Sequence, residues 1–275
     1  MDMIIVIGNL VTFGAVAGVA YLYRYSGKLI YQCTRLVKQD PSAKDWDFHE
    51  AYVETSEGKT HLWFIPAAVE TDRTILFSHG NAGNLGDKLD SIGIFRKLGF
   101  NVLAYDYGGY GRSRGTTHEA RMVEDITAAW DYAIDELNIP PDQMIVHGRS
   151  MGGGPTSHLA TRVSAGAVIL ESTFCSLTEL ITARYRYLPQ WIFGRNRFDT
   201  LSRVGDIDSP VLIIHSEEDS TIPYEQGERL YEAASDPKAF LKISGEHHEG
   251  FWKHPEIYNQ GLLDFINTHV SKNKD

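Results

Sequence analysis

Short apolar runs alternate with amphipathic stretches over most of this 275-residue chain. Runs at 50–54, 61–65, 74–78, 101–105, 143–147, 167–170, 211–215 and 239–243 have the length of strands. Between the later runs, 88–98, 118–137, 151–163, 224–234 and 255–269 carry apolar residues at helical spacing. Such alternation predicts the α/β class, with a mostly parallel eight-stranded sheet covered by helices on both faces. The first two runs, joined through Ser56-Glu57-Gly58, are expected to pair as an antiparallel hairpin. The third helical stretch opens poorly by propensity, because Gly152, Gly153, Gly154 and Pro155 crowd its first turn. Proline is tolerated there, and glycines permit close packing on a sheet.

The pattern changes at the N-terminal end. Residues 3–23 are a run of 21 without an ionisable side chain other than tyrosine. As a helix this run would span about 31 Å, the thickness of a bilayer core. The chain therefore divides into a membrane anchor and juxtamembrane segment, 1–38, and a catalytic domain, 39–275. Ala15-Val16-Ala17 offers a signal-peptidase reading, but Asp2 and the terminal amine stand where a signal peptide wants Lys or Arg. A retained single-pass anchor is the expectation, and Arg24, Lys28, Arg35 and Lys38 behind it put the domain on the cytoplasmic side.

Composition narrows the partners. With 43% hydrophobic and 23% charged residues the chain can bury one large core. A net charge of −10 without a long basic run argues against nucleic acid. Two cysteines are too few for a disulfide framework. No histidine and carboxylate spacing makes a metal site, and no cofactor is expected.

The chemistry concentrates after the predicted strands, where sheets of this class collect their active groups. Ser150 stands in Gly148-Arg149-Ser150-Met151-Gly152, between the apolar run ending at His147 and a helical stretch, which is the sequence form of a nucleophile elbow. A strand that ends at a serine and turns at once into a helix must pinch its backbone, so its flanks need glycine. The amide of Met151 then points where an oxyanion would form. A second match, Gly111-Arg112-Ser113-Arg114-Gly115, lies several residues past its strand in a Gly-rich loop, so Ser113 reads as a turn residue. After the third strand, His79-Gly80-Asn81-Ala82-Gly83-Asn84 offers free loop amides as the other half of an oxyanion hole, and neither a Walker lysine nor a dinucleotide fingerprint follows it. A serine needs a base and a carboxylate to orient that base. Asp219, with Glu217 and Glu218 beside it, and the pair His247-His248 supply them in the order Ser, acid, His.

With these residues, and with Phe77-Ser78-His79-Gly80-Asn81 and Tyr105-Asp106-Tyr107-Gly108-Gly109-Tyr110 ahead of them, the chain resembles the α/β-hydrolase superfamily over roughly 63–265. Within it, the chain is similar to the membrane-anchored bud-emergence-type serine hydrolases, whose relatives include acyl-protein thioesterases. Glu171-Ser172-Thr173-Phe174 and Arg197-Phe198-Asp199-Thr200 also look like stretches of that group. The resemblance implies Ser150 as nucleophile, Asp219 as acid, His248 as base, and the amides of Asn81 and Met151 as oxyanion donors. Two departures bear on substrate contacts: Gly108 stands where many relatives have arginine, and Glu249-Gly250 follows His248 where relatives often carry Asn-Asp.

Segment 171–204 sits where the superfamily inserts a lid, and here it is short. Leu177, Leu180, Ile181, Tyr185 and Leu188 recur at helical spacing, while Arg184, Arg186, Arg195, Arg197 and Arg203 outnumber the acids. This reads either as an apolar, basic-edged wall admitting an acyl chain from an anionic membrane, or as helices packed on the sheet with arginines in solvent. The function implied is a membrane-anchored serine hydrolase acting on carboxylic esters or thioesters, of lipids or lipidated proteins. Lysophospholipase or peptidase activity on the same fold, and a non-catalytic membrane-tethered scaffold, remain as alternatives.

Overall fold

The computed structural model describes residues 30–184 and 196–271, with positions 18, 21 and 27. Its strands are β1 (His49–Thr55), β2 (Gly58–Ile65), β3 (Thr74–Ser78), β4 (Asn101–Asp106), β5 (Met144–Arg149), β6 (Ala167–Glu171), β7 (Val211–Ser216) and β8 (Lys238–Ile243). They form one eight-stranded sheet in the order β1-β2-β4-β3-β5-β6-β7-β8. The expected hairpin is present, with Thr55 opposite Gly58, and β2 also runs antiparallel to β4. From β4 to β8 neighbouring strands are parallel. The chain leaves β3 for β4 on one side and later returns to β5 on the other, so the carboxyl end of β3 is a topological switch point, where the loops part.

The helices are α1 (Leu89–Lys97), α2 (Glu119–Asp135), α3 (Gly153–Ala160), α4 (Leu177–Arg184), α5 (Leu201–Val204), α6 (Tyr224–Ala233), α7 (Gly250–Lys253) and α8 (Pro255–His269). Period-two alternation divides the core between two faces. Leu76, Leu103 and Val146 meet Met122, Ile126 and Ala129 of α2 on one face. Their neighbours Ile75, Phe77, Val102 and Ile145 meet Ile92 and Phe95 of α1 and Leu262 and Ile266 of α8 on the other. The helix expected over 151–163 is shorter: a 3-10 turn, Ser150–Gly152, precedes α3, which ends at Ala160.

The apolar run 3–23 lies outside the described residues except for Gly18 and Tyr21, and among the described residues no helix is long and apolar enough to cross a membrane. Of the short lid, 185–195 also lies outside, including Tyr185, Leu188, Arg186 and Arg195. Leu177 and Ile181 of its first helix are buried in the core. Arg203 is turned back on its own segment, donating to the Asp199 carbonyl at 2.7 Å.

Segment 30–39, all but its last residue assigned by the sequence to the juxtamembrane segment, lies as a strap across the loops that follow β3 and β4. The Asn81 amide nitrogen donates to the Ile30 carbonyl at 2.7 Å, and the Asn81 side-chain oxygen accepts from the Gln32 N–H at 3.2 Å. Asn84 donates to the carbonyls of Thr34 and Leu36 at 3.1 and 2.9 Å. Gly111 N–H donates to Thr34 at 2.9 Å, and Gln39 closes the strap on the Gly86 carbonyl at 2.8 Å.

Candidate active site

The elbow forms as its glycines require. Ser150 directly follows β5 and takes the left-handed region, at φ 53°. A Cβ on Gly152 would run into the Ser78 carbonyl, and one on Gly148 would come within 2.5 Å of the Gly152 oxygen. Only hydrogen at Gly152 lets the turn press against the end of β3, and only hydrogen at Gly148 lets the turn fold back over its own strand. Thr173, from the stretch noted after β6, donates to the Ser150 carbonyl at 2.6 Å and holds the strained turn from behind. Met151 lies in the first helical turn, where a backbone N–H has no partner within the helix. The competing Ser113 is fully buried; its hydroxyl donates to the Asp106 carbonyl at 2.6 Å and accepts from the His61 N–H at 2.8 Å. It ties two strands and faces no base.

The acid follows β7. Asp219 is buried, and its Oδ1 accepts from the N–H groups of Thr221 and Ile222 at 2.9 and 2.8 Å. That leaves Oδ2 for the Nδ1–H of His247 at 2.6 Å. Glu217 and Glu218 are turned elsewhere, to Lys242 and to the Gly245 N–H.

The histidine differs from the expectation. His247, not His248, reaches the serine: its Nε2 accepts from the Ser150 hydroxyl at 3.1 Å. The cause is backbone geometry. His248 takes φ 66°, and this left-handed residue sends its side chain away from Asp219. Its ring stacks on that of His247 instead, centroids 3.8 Å apart and planes 30° apart. The loops bearing acid and histidine are laced together, Glu246 accepting from the Ser220 hydroxyl at 2.7 Å and Ser216 donating to the Gly245 carbonyl.

The loop after β3 completes the site. Asn81 is fixed by the strap and by the Tyr110 hydroxyl, which donates to its side-chain oxygen at 2.9 Å. Gly80 is a close neighbour of Ser150, since a Cβ there would stand 3.5 Å from the Ser150 Cβ. At Gly108, the departure noted in the sequence, the room for a side chain is filled by Arg121, whose Nε is 2.8 Å from Asp125.

Beneath the elbow lies a buried ionic cluster that the sequence did not signal. Glu171 accepts from His147 Nε2 and the Tyr258 hydroxyl at 2.9 Å each and from Arg149 Nη2 at 3.2 Å, and Arg149 Nε stands 2.9 Å from its other oxygen as an ion pair. Burial by itself would raise the Glu171 carboxyl, but the Arg149 guanidinium and the His147 hydrogen bond hold it far below the usual carboxylate range. Arg149 also donates to the Ser91 hydroxyl at 2.7 Å and stacks over Phe251, so the residue beside Ser150 is locked to α1 and α7. Among the described residues, no group of histidine, cysteine and carboxylate side chains is arranged to hold a metal.

Several known proteins are similar to this chain. A family model described as "Serine aminopeptidase, S33" matches residues 69–198. Human "Alpha/beta hydrolase domain-containing protein 17B" is 33% identical over 234 residues, 84% of this chain and 78% of that protein. "Uncharacterized protein YfhR" of Escherichia coli (strain K12) is 31% identical over 227 residues, 77% and 78% of the two chains. Among solved structures, an esterase of Pyrococcus furiosus superposes with a TM-score of 0.74 at 19% identity, covering 88% of this chain and 98% of its own. An α/β hydrolase from Vibrio vulnificus gives 0.67 at 21% identity, covering 81% and 82%.

Proposed function

This chain belongs to the α/β-hydrolase superfamily, and we propose on that footing that it is a serine hydrolase cleaving carboxylic esters or thioesters through an acyl-enzyme on Ser150. One observation carries the reading: an unbroken chain of hydrogen bonds from Ser150 Oγ through His247 to Asp219, at 3.1 and 2.6 Å. As Oγ attacks the carbonyl carbon, its proton passes to His247 Nε2, and Asp219 stabilises the imidazolium through Nδ1–H. The tetrahedral oxyanion is held by the amides of Asn81 and Met151, each contributing about 3 kcal/mol to lowering the barrier. Collapse expels the alcohol or thiol, which takes the proton from His247. Water then attacks the acyl-enzyme by the same route, its proton going to His247 and back to Ser150.

A fluorophosphonate probe tests the assignment. Labelling is expected to vanish in Ser150→Ala, to persist in Ser113→Ala, and to slow by about a thousand-fold or more in His247→Ala. Labelling of Ser150→Ala, or none of folded wild type, would overturn it. A panel of p-nitrophenyl esters, acyl thioesters and aminoacyl p-nitroanilides then separates the esterase reading from a peptidase one, turnover of the anilides alone counting against the former.

A further inference from the structure

His248 has a ring that the acyl-enzyme chemistry leaves without a task. It is half-buried at the bottom of the site, with its Nε2 sealed from solvent and without a hydrogen-bond partner. On one side it stacks on His247, at a centroid distance of 3.8 Å. On another it abuts Gly80, since a Cβ on Gly80 would lie 3.1 Å from His248 Cε1. The ring therefore stands as a wedge between the imidazole that faces Ser150 and the loop that carries Asn81. Burial, together with the neighbouring His247 imidazole and the Arg149 guanidinium, holds the His248 imidazole well below its ordinary pKa, so the wedge is neutral at pH 7. A neutral ring can lie against an imidazolium without repelling it. Keeping this residue in a left-handed conformation and sealing a ring nitrogen both cost free energy, so a wedge retained here offsets them through something else.

We propose that His248 is a positioning residue: it holds the His247 ring and the Gly80-Asn81 loop at their working separation, and so acts on turnover rather than on binding. This rests on the acyl-enzyme reading above. Proton acceptor and oxyanion donors must both meet one tetrahedral centre, and a displacement near 1 Å is enough to cost rate by one to two orders of magnitude.

The test uses full-length protein and a p-nitrophenyl ester, with kcat normalised to the fraction titrated by a fluorophosphonate, so that misfolded molecules do not count. Asparagine tolerates the left-handed backbone but has no ring, and His248→Asn is expected to lower kcat about ten-fold with KM changed less than about two-fold. His248→Phe keeps the ring and is expected to restore kcat to within about three-fold of wild type. Gly80→Ala, whose methyl presses on the ring, should also lower kcat, yet cost little further in the His248→Asn background, where the wedge is gone. Unchanged kcat in His248→Asn, an equal loss in His248→Phe, a change confined to KM, or additive effects of the Gly80 and His248 substitutions would each overturn the proposal. Failure of the acyl-enzyme reading is distinguishable, because it removes Ser150-dependent labelling from wild type itself.

Discussion

At the scale of single residues, the site rests on positions whose side chains never meet a substrate. Glu171 is the clearest. It compensates Arg149 in a place where neither ion reaches water, so a neutral isostere leaves a buried guanidinium with a poorer partner. Glu171→Gln is expected to lower the unfolding free energy by about 3 kcal/mol, read as a shift of the urea midpoint; a midpoint unchanged from wild type would mean that the cluster does not stabilise the fold. The sequence signalled the elbow because its steric demand is written in residue type: Gly152 admits the Ser78 carbonyl of β3, Gly148 admits the turn's own Gly152 carbonyl, and a Cβ would block either approach. It did not settle His247 against His248. Two identical neighbours carry no compositional difference, and which ring faces the acid depends on one left-handed φ at 248. Nor did it reveal the tie between Arg149 and Glu171, which joins the ends of two strands 22 residues apart in sequence.

Among elements, strands and long helices were legible because periodicity reports burial directly. The strap was not, since 30–39 has no period and its bonds to Asn81, Asn84 and Gly111 run through backbone groups that any sequence possesses. What marks it lies elsewhere, in the amides of Asn81 and Asn84 on the loop it crosses. Asn84 is almost wholly buried, and its side chain makes three bonds, to Thr34, Leu36 and the Gly86 N–H. Asn84→Ala should cost about 1 kcal/mol for each bond. The loss falls first on local opening, so limited proteolysis within 30–39 is expected to accelerate about ten-fold or more. Equal cleavage rates in variant and wild type would show the strap to be held by other contacts.

For the molecule as a whole, several histidines are buried as neutral rings. Burial pushes His147, His215 and His248 below the ordinary histidine value. In the unfolded chain these groups titrate near pH 6.5, above their folded values. As pH falls through that point the unfolded state takes up protons that the folded state refuses. The stability is complete above about pH 6.5 and declines below it, by about 1 kcal/mol per pH unit for each fully buried ring. Carboxylates such as Glu171 add their own loss only at lower pH, below their unfolded values near 4.5. Tm is therefore expected to drop by several degrees between pH 7.5 and pH 5.0, and a flat Tm over that interval would refute the assignment of neutral buried imidazoles.

The lacing of the acid and histidine loops has a further effect. Stitched by Ser216, Ser220 and Glu246, these loops travel together, while Ser150 is clamped to β3 and to Thr173. The proposed catalytic trio is thus two blocks meeting along a seam, and the contact from His247 to Ser150 is a fastening across it. A substitution that loosens the sheet across β5, β6 and β7 is expected to part this seam while each block stays intact, so that fluorophosphonate labelling falls before the core melts.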